Sequence, residues 1–205
     1  VDGFLNMRLI IAILFLCLTG CGQHWPVSTP FVSSPTLETD VIVSFLQKRY
    51  GSRLPADAQL VIGDTFSSDG HGQSPGELMS QASDRIPADL IRDFCDKNTK
   101  PGALWPEIGS RLHAKLISRA EVNAFFSAKP YQKPDGWDKF YSTYPHSPGI
   151  IAVSRVGFNR KGNIAMLYMG SSQHWLAGSG KIYVFRKRGG KWVEEPFSIG
   201  PIWFS

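Results

Sequence analysis

Acidic residues are absent from Lys139 to Trp192, although nine basic ones fall in that stretch. They are Lys139, Arg155, Arg160, Lys161, Lys181, Arg186, Lys187, Arg188 and Lys191. Cysteine is scarce, with Cys17 and Cys21 close together near the N-terminus and Cys95 alone beyond them. No His-Glu-x-x-His, Cys-x-x-Cys or Ser-x-x-Lys pattern occurs. The familiar signatures of zinc and penicillin-binding chemistry are therefore missing. Gly180-Lys181 and Gly190-Lys191 lack the upstream glycine and following hydroxyl of a phosphate loop. The apolar run from Leu9 to Leu18 covers only ~15 Å as helix, about half a bilayer core, so it is too short to span. A net charge of +5 is too mild to argue for nucleic acid.

What is present starts with that apolar run. It follows Met7-Arg8 and ends in Leu18-Thr19-Gly20-Cys21. One positive charge and a short apolar segment have the dimensions of a signal peptide, with Met7 as its start. Leu-Thr-Gly-Cys resembles the lipobox of bacterial lipoproteins. The resemblance implies cleavage before Cys21, a diacylglyceryl group on its thiol and, often, acylation of the new amine. Two or more chains, at ~0.8 kcal/mol per buried methylene, make a stable anchor. Gly22 rather than Asp after the modified cysteine implies the periplasmic face of an outer membrane over an inner one, in a Gram-negative cell. Residues 1–20 are thus read as signal peptide. Residues 21–35 form a Pro/Ser/Thr-rich tether in which Trp25 would rest at headgroup level. Residues 36–205 form one domain.

Within that domain, Leu37, Val41, Phe45 and Leu46 share a helical face over Thr36–Tyr50. Ala58–Phe66 reads as a strand. Residues 67–73 are a polar loop. Ser74-Pro75-Gly76-Glu77 and Ser118-Arg119-Ala120-Glu121 are capping boxes that open helices. Ala88–Asp96 is helical behind Ile86-Pro87, with Leu90, Ile91 and Phe94 buried. Residues 98–106 read as loop, Arg111–Ile117 as a short strand and Trp137–Tyr144 as an aromatic helix. The last third reads as four strands, over Gly149–Phe158, Asn163–Gly170, Gly180–Arg188 and Lys191–Phe197. Tight turns at Arg160-Lys161-Gly162 and Gly189-Gly190 and a longer loop at 171–179 join them.

The order of elements gives an α+β class: helices on one face of a C-terminal four-stranded antiparallel meander, with one or two extra N-terminal strands. The residues Trp137-x-x-Phe140, Tyr144-Pro145, Gly149-Ile150-Ile151, Ser154 to Asn159, Gly178-x-Gly180 and Lys191-Trp192 resemble a C-terminal block of bacterial secreted proteins. That group has no characterised activity, so the resemblance implies none.

Candidate chemistry is sparse. Cys95 sits between Asp93 and Asp96, which disfavour a thiolate, so it reads as a small buried apolar residue. Asp64, Asp69 and His71 gather around a glycine-rich loop without a known ligand spacing. Glu77, Asp84, Asp89, Glu107 and Glu121 are available as carboxylate pairs, but none is singled out. No catalytic set, metal site or cofactor follows. Arg155 shares the face of Ile151 and Val153 and is expected to find a half-buried ion-pair partner. Arg186, Lys187, Arg188 and Lys191 flank a Gly-Gly turn and are expected to be mostly exposed and tolerant of substitution. They are the candidate binding residues, together with an aromatic loop tip at His174 and Trp175.

The function read from the sequence is a membrane-anchored envelope lipoprotein with a non-enzymatic binding domain. Its partners are the membrane, through lipid on Cys21, and an anionic lipid, cell-wall polymer or envelope protein, with no nucleic acid. The rivals are an envelope hydrolase using carboxylates or the His71 loop, and a purely structural assembly lipoprotein.

Overall fold

Four helices start where a Ser or Asp side chain can accept the orphan N–H groups of the first turn. Ser34 caps α1 (Pro35–Tyr50), Ser74 caps α2 (Pro75–Gln81), Ser118 caps α5 (Arg119–Phe126) and Asp135 caps α6 (Gly136–Thr143). The last three are full capping boxes, with Glu77, Glu121 and Asp138 reaching back. These features belong to a computed structural model that describes residues 31–68, 74–127 and 133–204. Two further helices, α3 (Ala88–Lys97) and α4 (Pro106–Leu112), complete the set among the described residues.

Seven strands form one sheet: β1 (Val61–Gly63), β2 (Lys115–Ile117), β3 (Ile150–Val153), β4 (Gly157–Phe158), β5 (Ile164–His174), β6 (Ala177–Arg188) and β7 (Lys191–Phe204). The order is β2-β1-β3-β5-β6-β7, with β4 also on β5. β1 runs parallel to both β2 and β3, and every other pairing is antiparallel. The chain is therefore a mixed α+β structure with a mostly antiparallel sheet.

Helices cover both faces of this sheet, not one. Ala165, Leu167 and Met169 of β5 pack with Val41, Ile42, Phe45 and Leu46 of α1 and Ile108 of α4. Ile164, Met166 and Tyr168 point the other way, onto Leu78 of α2 and Leu90, Ile91 and Phe94 of α3. On that second face, Trp137 and Phe140 of α6 cover Val61 and Ile117, with Phe125 and Phe126 of α5 beside them. A strand buried on both sides needs apolar residues at every position, and Ile164-Ala-Met-Leu-Tyr-Met169 supplies them without alternation.

The segment expected as one strand over Gly149–Phe158 is two. Val153 pairs with Met169 and Gly157 with Met166. Four steps along one strand thus face three along the other, which is a bulge. Side chains from the helices take up the backbone N–H groups that the bulge frees. Asn98 accepts from Arg155 at 2.8 Å, Glu38 from Val156 at 3.0 Å and Asp93 from Phe158 at 2.7 Å.

Other expectations shift in the same physical terms. The strand expected over Ala58–Phe66 is only three residues long. The strand expected over Arg111–Ile117 is the end of α4 followed by β2. Pro106 opens α4 and His113, in the left-handed region, closes it. The loop expected at 171–179 is a tight hairpin, because His174 pairs with Ala177 and only Trp175 and Leu176 turn the chain. Residues 31–34, assigned to the tether, are seated on the domain. Phe31 packs on Phe158 at 5.6 Å and Ser33 donates to Glu38 at 3.2 Å.

Candidate functional site

The β6–β7 hairpin and the β4–β5 turn lie at the same end of the sheet, since Arg186 pairs with Ile164 and Lys187 N–H donates to Asn163 O at 2.9 Å. Gly162, Gly189 and Gly190, all at positive φ, make these turns possible. Six of the nine cations of the acid-free stretch therefore converge: Arg160, Lys161, Arg186, Lys187, Arg188 and Lys191. Arg92 of α3 joins them across a groove of about 580 Å³ that Arg160, Lys161 and Arg186 also line.

The cations are not equivalent. Arg186 Nε and Arg188 Nη2 both donate to Oε1 of Glu195, at 3.0 and 2.9 Å, and the Glu195 side chain is only 7% exposed. Of the four hairpin cations, expected to be mostly exposed and tolerant of substitution, these two are tied to a buried carboxylate. Removing them would leave a buried carboxylate unpaired. Lys187 points to the other face, 5.7 Å from the Trp192 ring, and Lys191 is exposed at the turn. Among the described residues, Arg92, Arg160 and Lys161 make no ion pair with a carboxylate.

His174 and Trp175 sit at the opposite end of β5, about 33 Å away at ~3.3 Å per residue. Trp175 is folded against α5 and α6. Its ring meets Phe126 at 5.3 Å, and Nε1 donates to Oδ2 of Asp135 at 3.3 Å. His174 is exposed, and Leu176 beside it is 75% exposed. The structure therefore does not bring the two candidate patches together.

Asp135 is held ionised by its partners. The Asp138 backbone N–H, then Lys133, the Trp175 indole and the Trp137 N–H, lower its carboxyl to about 2 against an ordinary 3.8. A depressed folded value stabilises the protein above the unfolded one, and that contribution is lost as pH falls through about 2. Asp135→Asn should be less stable than the parent at neutral pH, and the gap should close on acidification. Tryptophan fluorescence during acid titration of both proteins checks this.

The remaining candidates resolve individually. Cys21, with His24 and Trp25, lies outside the described residues, as do Asp69 and His71. Asp64 is half-buried, and its main chain bonds Ile117 and Leu104. No group of three or more His, Cys, Asp or Glu converges among the described residues. Glu77 and Glu121 serve as caps, and Asp89 accepts the Arg160 N–H at 2.8 Å. Cys95 is buried at 2% exposure, and burial, with Asp96 beside it, pushes its thiol up to about 11. Cys95→Ala should cost about 1–3 kcal/mol. The native thiol should react with iodoacetamide far more slowly than the unfolded one, as mass spectrometry would show.

Arg155 has the expected partner. Its Nε and Nη2 donate to Oε2 and Oε1 of Glu38 at 2.9 and 2.8 Å. Its guanidinium also lies over Trp105 and Phe66, at 4.9 and 5.6 Å. Sequence reasoning had no means of naming Glu38, a single acid in the first turn of α1 whose partner is 117 residues away. Arg92 was missed as well, because it belongs to a helix outside the basic stretch.

No protein family, curated protein or solved structure matches this chain. No described helix is long and apolar enough to cross a membrane.

Proposed function

We propose that this protein is an exported bacterial lipoprotein, anchored by lipid on Cys21, whose α+β domain docks on an anionic surface through the basic end of its sheet. What carries the reading is the gathering of Arg92, Arg160, Lys161, Lys187 and Lys191 around two turns at one end. The apolar run that ends in Leu-Thr-Gly-Cys supports the anchor. An anchored domain with a tether stays within a Debye length, ~8–10 Å, of anionic headgroups for part of its time. Each exposed Lys or Arg there contributes about 1 kcal/mol.

Two measurements test the reading. Labelled palmitate should enter the wild type, and Cys21→Ser should lose both the label and sedimentation with membranes; equal labelling would remove the anchor. The Cys21→Ser chain should bind phosphatidylglycerol-containing vesicles with an affinity that falls as salt rises. Lys187→Gln with Lys191→Gln should weaken that binding by about 2 kcal/mol, roughly thirtyfold, without the stranded carboxylate that replacing Arg186 together with Arg188 would create. Salt-independent binding would count against a docking surface.

A further inference from the structure

The groove beside α3 differs from the rest of the basic end in being concave and preorganised. Asp89 in the first turn of α3 accepts the Arg160 N–H at 2.8 Å and pins the β4–β5 turn against the helix. Asn159, 6% exposed, closes the turn from inside. Its Oδ1 accepts from the N–H groups of Asn163 and Ile164 at 3.0 and 2.9 Å, and its Nδ2 donates to Asn163 Oδ1 at 2.9 Å. Arg186, on the sheet side, is oriented by Glu195. Arg92, on the helix side, lies one turn beyond Ala88, on the same face.

We infer that this groove is a binding site for a phosphate ester or diphosphate group, held by Arg92, Arg160, Lys161 and Arg186. The inference rests on the docking role proposed for this end of the sheet and specifies its ligand chemistry. Four cations line the space against one lining carboxylate, Asp89, which is already engaged by a backbone N–H; Arg186 is also paired with Glu195, so Arg92, Arg160 and Lys161 supply most of the unmatched charge. A monoanionic carboxylate would leave most of that charge unmatched, whereas a phosphate dianion or a pyrophosphate trianion matches it. Three of the four cations are guanidiniums, whose planar fork of N–H donors fits phosphate oxygens in pairs. At about 580 Å³ the groove is larger than a lone phosphate requires and admits the esterified group beyond it. Fixing the turn beforehand also lowers the ordering cost of binding.

The same chemistry reaches the groove from a lipid headgroup or from a free phosphorylated solute, so the experiment separates the two. The full chain is titrated by calorimetry with sodium pyrophosphate and, as a carboxylate of similar charge, citrate. It is then titrated with phosphatidylcholine vesicles carrying phosphatidic acid. Pyrophosphate should bind and citrate should bind at least about tenfold more weakly. Arg92→Gln with Arg160→Gln should weaken pyrophosphate by about tenfold or more, with an unchanged circular dichroism spectrum and melting temperature. Lys187→Gln with Lys191→Gln should leave it within about twofold. Phosphatidic acid vesicles that compete with pyrophosphate identify the lipid source, and vesicles that do not compete identify the free one. Absence of pyrophosphate binding, equal citrate binding, or full retention in the Arg92/Arg160 variant overturns the inference. In that event, salt-dependent binding to phosphatidylglycerol vesicles that Lys187→Gln with Lys191→Gln abolishes would leave the docking role standing. Pyrophosphate binding without vesicle binding would do the reverse.

Discussion

Glu38→Ala should lower the stability of the domain by about 3–5 kcal/mol, measured by urea unfolding at neutral pH. The Glu38 side chain is fully buried, and it accepts from Arg155 at two nitrogens and from the Val156 N–H. Truncation strands a guanidinium that is about two-thirds buried and removes the acceptor of the Val156 N–H. The loss therefore exceeds the net value of the ion pair itself. Glu38→Gln, which keeps the shape and an acceptor oxygen, should cost less than the alanine. Arg155→Met should cost nearly as much as Glu38→Ala, because it leaves a buried carboxylate without its counter-charge. If both alanine and methionine changes cost under about 1 kcal/mol, the pair is no more than a surface contact.

Gly157→Ala should cost about 3 kcal/mol, at the upper end of what one added methyl does in a packed core. A Cβ at Gly157 would lie 2.6 Å from the Phe94 Cβ and 2.7 Å from its Cα and N. Two of those atoms are helix backbone, so a side-chain rotation cannot relieve the overlap. The second substitution is therefore diagnostic: Phe94→Ala in the Gly157→Ala background should not restore stability, although it frees space. Restoration would mean that the conflict was with the ring. The position matters because β4 and α3 touch there, and α3 carries Arg92 and Asp89 to the groove.

How far the sequence spoke for itself follows from the range of the interactions involved. Ser74 with Glu77 and Ser118 with Glu121 are local signals, three residues apart, and both open helices where the spacing places them. The turns at Gly162 and Gly189-Gly190 are equally local. The expectation of helices on one face misses that they cover both. The unalternating Ile164–Met169 run is the signal for them, and the tight turns around it favoured a half-exposed meander instead. Pro106 reads as the end of a loop, although proline at a helix start reads the same way in isolation. Arg155 was legible as a buried cation from its face, but its acid was not. The charge asymmetry of residues 139–192 points to the end of the sheet where the cations gather. It said nothing of Glu195, just beyond the stretch, which engages two of the four hairpin cations. Nor did it reveal Arg92, which only the tertiary fold brings across.

The long reach of the Glu38–Arg155 contact bears on the timing of folding. β1 finds its neighbour β3 only after about 90 further residues have been made, and α1 has no buried partner for its acid until residue 155 is available. At a synthesis rate of ~5–20 residues per second, the 117 residues between the two charges take roughly 6–23 s to emerge. Throughout that interval the N-terminal third can form its capped α1 turns but cannot close its core. The closing contacts sit late in the chain, so the N-terminal third cannot complete its share of this core until residue 155 has been made.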